Sequence, residues 1–143
     1  QWSVARKYLH KEHSDIGTEK QDEHIITALN VINSPCLHEI FSRNAFVEAP
    51  LNGILNKNGR EVEVMGRVDR LIVLEKEIII ADFKTNKRPP ANFDDIPQAY
   101  KEQMCIYYEL IKSIYPKHLI RSMLIWTEGP KIIEFPDAYL SKK

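Results

Sequence analysis

Three residues near the middle of the chain, Asp69, Asp82 and Lys84, have types and spacings that could do chemistry together. Asp69 interrupts Val68-Asp69-Arg70-Leu71-Ile72-Val73. Asp82 closes Ile78-Ile79-Ile80-Ala81, the most apolar run in the sequence. A carboxylate is costly to bury unless something pairs with it. Two such acids on adjacent antiparallel arms can face each other, and one divalent cation would then offset the desolvation of both. Oxygen ligands of this kind suit Mg2+ or Mn2+. Lys84 lies two residues past Asp82 and so on the same face of a strand. An ammonium there could orient a metal-bound water or help to deprotonate it. Acid, acid and lysine at one edge therefore suit metal-assisted hydrolysis of a phosphodiester. The plainer alternative is a set of structural ion pairs, Asp69 with Arg67 or Arg70 and Asp82 with Lys84.

The elements that must position these residues follow from hydrophobic periodicity. Val62 to Leu74 reads as a long strand, bulged or kinked near Gly66. Glu75-Lys76-Glu77 is a tip, and Ile78 to Phe83 a central strand buried on both faces. Before them, Trp2 to Glu12 reads as a helix end, and a second helix runs from an N-cap at Thr18, with Gln21 as its capping-box partner, to about Asn33. A short helical turn spans Cys36 to Phe41, Phe46 to Leu51 alternates like a strand, and Asn56-Lys57-Asn58-Gly59 is a turn by composition. After them, the prolines between Lys84 and Pro97 forbid helix or inner strand. Pro97 then suits the first position of a long helix to about Ile114, with Tyr100, Met104, Tyr107, Tyr108, Ile111 and Ile114 as its apolar stripe. Leu119 to Thr127 and Ile132 to Phe135 are two further strands. The order predicts an α/β fold: a mixed sheet of about five strands flanked by helices, with a right-handed crossover where the long helix joins two parallel strands.

Composition sets outer limits. The chain has 143 residues, one domain's worth, with 20 Lys and Arg against 20 Asp and Glu and a formal net charge of zero. That balance argues against a protein that coats nucleic acid by bulk charge, though a local positive patch suffices to bind phosphates. The two cysteines, Cys36 and Cys105, are far apart. They support no disulfide framework, zinc site or iron–sulfur cluster, and suit a reducing compartment. No apolar run approaches membrane-span length and no signal peptide is visible. Because the first residue is Gln1 and the sequence starts directly in a helical pattern, a fragment of a longer protein is expected.

Gly66-Arg67-Val68-Asp69-Arg70, Asp82-Phe83-Lys84-Thr85 and Gln103-Met104-Cys105-Ile106-Tyr107 together resemble the PD-(D/E)XK nuclease superfamily. They are similar in particular to its RecB-type domains, whose motifs GxxDR, DxK-T and QxxxY occur in this order at about these distances. Glu48-Ala49-Pro50, the run Asp82 to Pro90, and Leu124 to Pro130 resemble the C-terminal end of the AddA family of helicase–nuclease subunits. The resemblance implies a restriction-endonuclease-like fold: N-terminal helices over 1–42 and a catalytic core over 43–136 of one nuclease domain. It implies that Asp69, Asp82 and the backbone carbonyl of Phe83 ligate Mg2+, with Mn2+ able to substitute. Lys84 would position the attacking water and stabilise developing charge. Gln103 and Tyr107, one turn apart on a helix, would contact the DNA backbone. Thr85 and Arg88 would bind phosphate or cap the loop. Glu48 is a further ligand candidate, against a simple pair with Arg67.

One position departs from the pattern. RecB-type domains carry a metal-ligand histidine in a Gly-x-x-x-His context within an N-terminal helix, whereas Gly17-Thr18-Glu19-Lys20-Gln21 has glutamine there. The ligand is expected upstream of Gln1, with His24 as the fallback. A fragment without it would bind metal weakly and cut poorly. The sequence also lacks a GxxxxGK[ST] phosphate loop, so the ATP-driven motor of the AddA family is not in these residues. The expected role is an exonuclease or endonuclease module in double-strand-break repair and recombination, cytoplasmic and nucleoid-associated. Its expected partners are a single-stranded DNA end fed by the motor and an AddB-like subunit. The alternatives are a non-cleaving DNA-binding or scaffolding module of the same fold, and a same-fold nuclease of another DNA pathway such as CRISPR adaptation, whose usual iron–sulfur cysteines are absent.

Overall fold

The structure is a computed structural model that describes residues 1–41 and 44–142. Two helices, α1 (Trp2–Glu12) and α2 (Thr18–Ile32), and a 3-10 turn (Pro35–Leu37) precede three strands: β1 (Ala45–Lys57), β2 (Arg60–Val73) and β3 (Glu77–Lys84). Then come α3 (Gln98–Ile114), β4 (Leu119–Trp126), β5 (Lys131–Glu134) and a final turn of helix, α4 (Asp137–Leu140). The five strands form one sheet in the order β1-β2-β3-β4-β5. β3 and β4 are parallel, joined by α3, and the other neighbours are antiparallel. This is the mixed five-stranded sheet flanked by helices that the pattern predicts. The expected boundary between residues 42 and 43 lies outside the described residues.

The apolar side chains divide between the two faces of the sheet. Ile78 and Ile80 of β3 point to the face covered by α3, where Met104, Tyr107, Leu110 and Ile111 meet them together with Leu124 and Trp126 of β4. Ile79 and Ala81 point to the other face and pack with Val31, Leu37, Ile40, Met123 and Ile125. β3 is therefore apolar on both sides, as a parallel-paired central strand must be. α1 buries no residue.

β1 and β2 form one long hairpin, and β1 runs well beyond the expected Leu51. Asn58 and Gly59, both at positive φ (54° and 77°), make the two-residue turn that matches strand twist. Asn56 Oδ1 accepts from the Gly59 N–H at 3.0 Å. Pro50 is tolerated because β1 is an edge strand.

Two expectations need correcting. α2 starts one residue after Gly17, with no side-chain cap bond. Gln21 does not close a capping box. Its buried amide donates to the carbonyls of His13 (3.1 Å) and Ile16 (2.8 Å), tying the helix to the turn before it. The irregularity in β2 also lies at Asp69 instead of Gly66. Val64 and Val68 face α3, but so do Leu71 and Val73, so the two-residue alternation breaks between Val68 and Leu71. β1 breaks at the same level: Ala45 packs on the far face, whereas Ala49, Leu51 and Leu55 face α3. Val47 pairs with Arg70 and Ala49 with Val68, which puts Glu48 opposite Asp69 at the one interrupted rung. Glu48 has φ 49° there, a left-handed conformation that a non-glycine residue rarely adopts inside a strand.

Candidate active site

The break in β2 sets where the site forms. β2 and β3 pair from Val73↔Ile78 to Arg70↔Ala81, and the ladder stops before Asp69 and Asp82 meet. At that point a side chain replaces the backbone partner. Asp69 Oδ2 accepts the N–H of Phe83 at 2.8 Å, so the amide stays satisfied while the strands separate. Asp69 is thus fixed against β3 and does not form the structural pair with Arg67 or Arg70. Arg70 instead lies over the Phe41 ring, 5.1 Å from its centroid, and Arg67 approaches Glu48 at 3.8 Å in an exposed pair.

Asp82 is 4% exposed. Its carboxylate meets the Lys84 ammonium at 2.6 Å. Burial pushes the Asp82 carboxyl above the usual carboxylate range. The hydrogen bond and charge of Lys84 oppose that shift without cancelling it, and the negative charge of Asp69 adds to it. Asp82 is therefore under-compensated as an anion, even with a lysine in contact.

Lys84 continues the network. Its Nζ donates to Gln103 Oε1 at 3.0 Å and lies 4.1 Å from the centroid of the Tyr100 ring. Gln103 Nε2 donates to the Tyr107 hydroxyl at 3.0 Å, and that hydroxyl donates to the Arg67 carbonyl at 2.8 Å. A continuous relay thus runs from the β2 backbone through α3 to the ammonium. It also fixes the amide: Gln103 must turn its nitrogen to Tyr107 and its oxygen to Lys84. Tyr107 is 4% exposed, with its hydroxyl engaged on both sides. Gly66 is the floor beneath it. A Cβ built there would stand 2.5 Å from Tyr107 Cε1, so the tyrosine can lie on the strand only if residue 66 has no side chain.

Asp82, Lys84, Gln103 and Tyr107 are thus linked in one network, and Asp69 is joined to the same edge through the Phe83 N–H. Thr85 and Arg88 are exposed in the loop after β3, and among the described residues neither side chain takes a hydrogen bond or ion pair. Lys131 holds the far part of that loop through the carbonyls of Pro90 (2.6 Å) and Ala91 (2.7 Å). Glu48 lies at the interrupted rung with its carboxylate toward Arg67, and no three His, Cys, Asp or Glu side chains converge among the described residues. His24 is exposed on α2. Tyr100 and Gly66 contribute to the site in ways that periodicity alone did not assign. Their signal is spacing: Tyr100, Gln103 and Tyr107 follow one helical stripe, and Gly66 is three residues before Asp69.

The donor set fits a hard divalent cation. Two carboxylates lie at one edge of the sheet, one of them buried and raised above its usual range by burial first and by the charge of the other in smaller part. PD-(D/E)XK nucleases typically use such metals.

No curated protein matches the chain. Among solved structures, a "putative exonuclease" from Eubacterium rectale superposes with a TM-score of 0.59 at 14% identity, over 95% of this chain and 55% of that one. A protein designated SSO0001 superposes with a TM-score of 0.51 at 16% identity, over 96% of this chain and 66% of that one. At these identities the likeness is one of fold, and the chain spans roughly half to two thirds of each neighbour's length. No helix among the described residues is long and apolar enough to cross a membrane. The sheet order and the paired acids accompany a match to the PD-(D/E)XK nuclease superfamily over residues 3–136, nearly the whole chain, and the chain belongs to that superfamily.

Proposed function

We propose that this chain is a Mg2+-dependent DNA nuclease domain. The observation that carries the reading is the opening of the β2–β3 ladder at Asp69 and Asp82, with Asp69 held on the Phe83 N–H and buried Asp82 on Lys84. Asp69, Asp82 and the Phe83 carbonyl would hold the cation. When bound, such an ion supplies positive charge for the phosphoryl oxygens and makes water more acidic. Asp69 is held in place by the Phe83 amide, so its carboxylate needs little reorganisation. Lys84, fixed between Asp82 and Gln103, orients the attacking water and faces the charge that develops as the phosphodiester breaks. Gln103 reaches the DNA backbone from the half-buried edge of α3, while Tyr107 acts mainly through Gln103. Thr85 and Arg88 contact phosphate from the exposed loop. Glu48 would add a ligand if its side chain turned from Arg67 toward Asp69, its neighbour across the strands.

The whole chain serves as a single domain, the C-terminal nuclease module of an AddA-type helicase–nuclease that works with an AddB-like subunit on DNA ends in double-strand-break repair. The sequence likeness at Glu48–Pro50, Asp82–Pro90 and Leu124–Pro130 supports that placement. The test is cleavage of single- and double-stranded DNA with Mg2+ or Mn2+, by the chain and by a version extended upstream. Asp82→Ala and Lys84→Ala should each lower it by a factor on the order of 10²–10³, and cleavage that survives both substitutions at the parental rate would sink the assignment.

A second reading, a module that binds DNA but cuts it poorly, is favoured by Gln21. The residue at the histidine place uses its amide to hold two backbone carbonyls. DNA binding without cleavage in both versions of the chain would select it.

A further inference from the structure

Lys84 has three N–H donors, and two are accounted for by Asp82 (2.6 Å) and Gln103 (3.0 Å). On its remaining side, 4.1 Å away, is the face of Tyr100. We propose that Tyr100 is a positioning residue whose ring face holds the Lys84 ammonium in its working direction. This deepens the nuclease reading and rests on it.

The argument is electrostatic. The ammonium must face the phosphate as a full positive charge, yet it stands in a half-buried pocket where an unmatched donor is costly. A second carboxylate would satisfy the donor but neutralise the charge and add to the repulsion already acting on Asp82. A ring face attracts a cation through its quadrupole and carries no net charge. Together, an amide oxygen and a π face restrain Lys84 from two sides without cancelling what it offers the substrate. The placement is built into α3: Tyr100, Gln103 and Tyr107 lie at i, i+3 and i+7, so one helical face supplies the ring, the amide and the hydroxyl that orients the amide. Tyr100 also packs against the core on the α3 face, which limits its motion. Its hydroxyl takes no hydrogen bond among the described residues, so the ring itself is the functional part. Tyr100→Phe should therefore behave like the parent, and Tyr100→Leu should not.

The experiment combines two readouts on the purified chain. The first is nuclear magnetic resonance of lysine-labelled protein. A cation over a ring face places the Lys84 ε-methylene protons in the ring-current shield. Their signal, identified by its loss in Lys84→Arg, should lie upfield in the parent and in Tyr100→Phe, and return to the ordinary lysine position in Tyr100→Leu. The second is Mg2+-dependent cleavage of a fluorescent oligonucleotide. Tyr100→Leu should lower kcat roughly ten-fold, the rate equivalent of about 1.4 kcal/mol, with KM unchanged. Phenylalanines with increasing fluorination at position 100 keep the shape and drain the π face. The rate should fall stepwise across that series, which also covers the case of a misfolded leucine variant. An unshifted Lys84 signal in the parent overturns the proposal. So does a flat rate across the fluorinated series while Asp82→Ala and Lys84→Ala sharply lower cleavage; the nuclease reading then stands without it. If the parent and the version extended upstream both fail to cut DNA, the nuclease reading falls, and the spectrum alone decides whether the ring holds the ammonium.

Discussion

The sheet carries a charged network on each face, and the two are built on opposite terms. On the α2 side, Arg121 of β4 meets Glu134 through two hydrogen bonds (2.7 and 3.0 Å) and has Glu77 at 3.4 Å and Glu39 at 3.9 Å. Its guanidinium is held still more firmly in the charged form, first by the hydrogen bonds it donates to Glu134. That network is partly open to water, and its three carboxylates all lie within reach of the one guanidinium. On the α3 side, Asp82 and Lys84 are in contact but buried, and burial outweighs the pairing, so Asp82 resists ionisation. By number of charges the Arg121 cluster looks richer. By unmet electrostatic demand, Asp82 is the better candidate, because a carboxylate that burial destabilises more than its neighbouring lysine stabilises it would gain from another cation.

The largest expected effects separate the two networks directly. Asp82→Ala and Lys84→Ala should each lower DNA cleavage by a factor on the order of 10²–10³, as removal of a preorganised charge at a reaction centre does. Arg121→Ala should leave the rate within about two-fold while lowering the melting temperature, since surface pairs act on stability alone. Rate measurements under saturating DNA, beside thermal melts of the same preparations, decide the matter. A large rate loss in Arg121→Ala would erase the distinction.

Gly66→Ala tests whether the relay matters apart from its charged end. The added Cβ would stand 2.5 Å from the Tyr107 ring, and the ring must shift, breaking its hydroxyl bonds to Arg67 and Gln103. Overpacking of this kind costs about 1–3 kcal/mol of stability. A misplacement of about 1 Å at a catalytic group can cost roughly a hundred-fold, so cleavage should fall by roughly ten- to a hundred-fold in a protein that is still folded at assay temperature. A folded Gly66→Ala protein with parental activity would show that Lys84 needs no support from α3.

These cases also show what the sequence could and could not disclose. The contact of Asp82 with Lys84 was legible because a period-two rule needs only their spacing and the apolar run before them. The Asn58-Gly59 turn was legible because its conformation depends on its own residues. The break at Glu48 and Asp69 was not. Val47-Glu48-Ala49 and Val68-Asp69-Arg70 alternate smoothly as text, and the change of face arises from two strands twisting together. Gly66 suggested a kink because a glycine in a strand often marks one, but its function is to admit a ring from a helix some forty positions on. The bond from the Tyr107 hydroxyl to the Arg67 carbonyl joins residues forty positions apart, and spacing alone could not disclose it.

Asp82→Asn asks whether the demand at the site is electrostatic. The folded-state carboxyl lies above its ordinary value, so between that value and the raised one the native state keeps a proton that the unfolded chain has released. Stability therefore falls as pH rises through this window, and the neutral isostere avoids the loss. Without divalent cation at pH 7, Asp82→Asn should melt above the parent, at roughly 2–4 °C per kcal/mol recovered, with the gap closing below the ordinary carboxylate range. Millimolar Mg2+ should raise the parent's melting temperature and leave the variant's nearly unchanged. A variant that melts lower than the parent at pH 7 would mean that Asp82 is a satisfied ion-pair partner.

Glu134→Gln carries the smallest expected effect and gives the cleanest contrast. Its carboxylate makes both short bonds to Arg121, so its loss is the largest change that cluster can suffer while Arg121 stays. Yet Arg121 keeps Glu77 and Glu39 within reach, and the neutral amide still offers one oxygen. Water replaces what is lost, because the pair is only partly buried. The cost should be about 0–1 kcal/mol, should shrink further in 0.5 M salt, and should not change the rate of DNA cleavage. Asp82→Asn, which likewise removes one negative charge, should move stability the other way and abolish cleavage. Melting curves of both variants at low and high salt set these signs side by side. Two variants that moved stability in the same direction would show that burial does not outweigh the pairing of Asp82 with Lys84 on the α3 face.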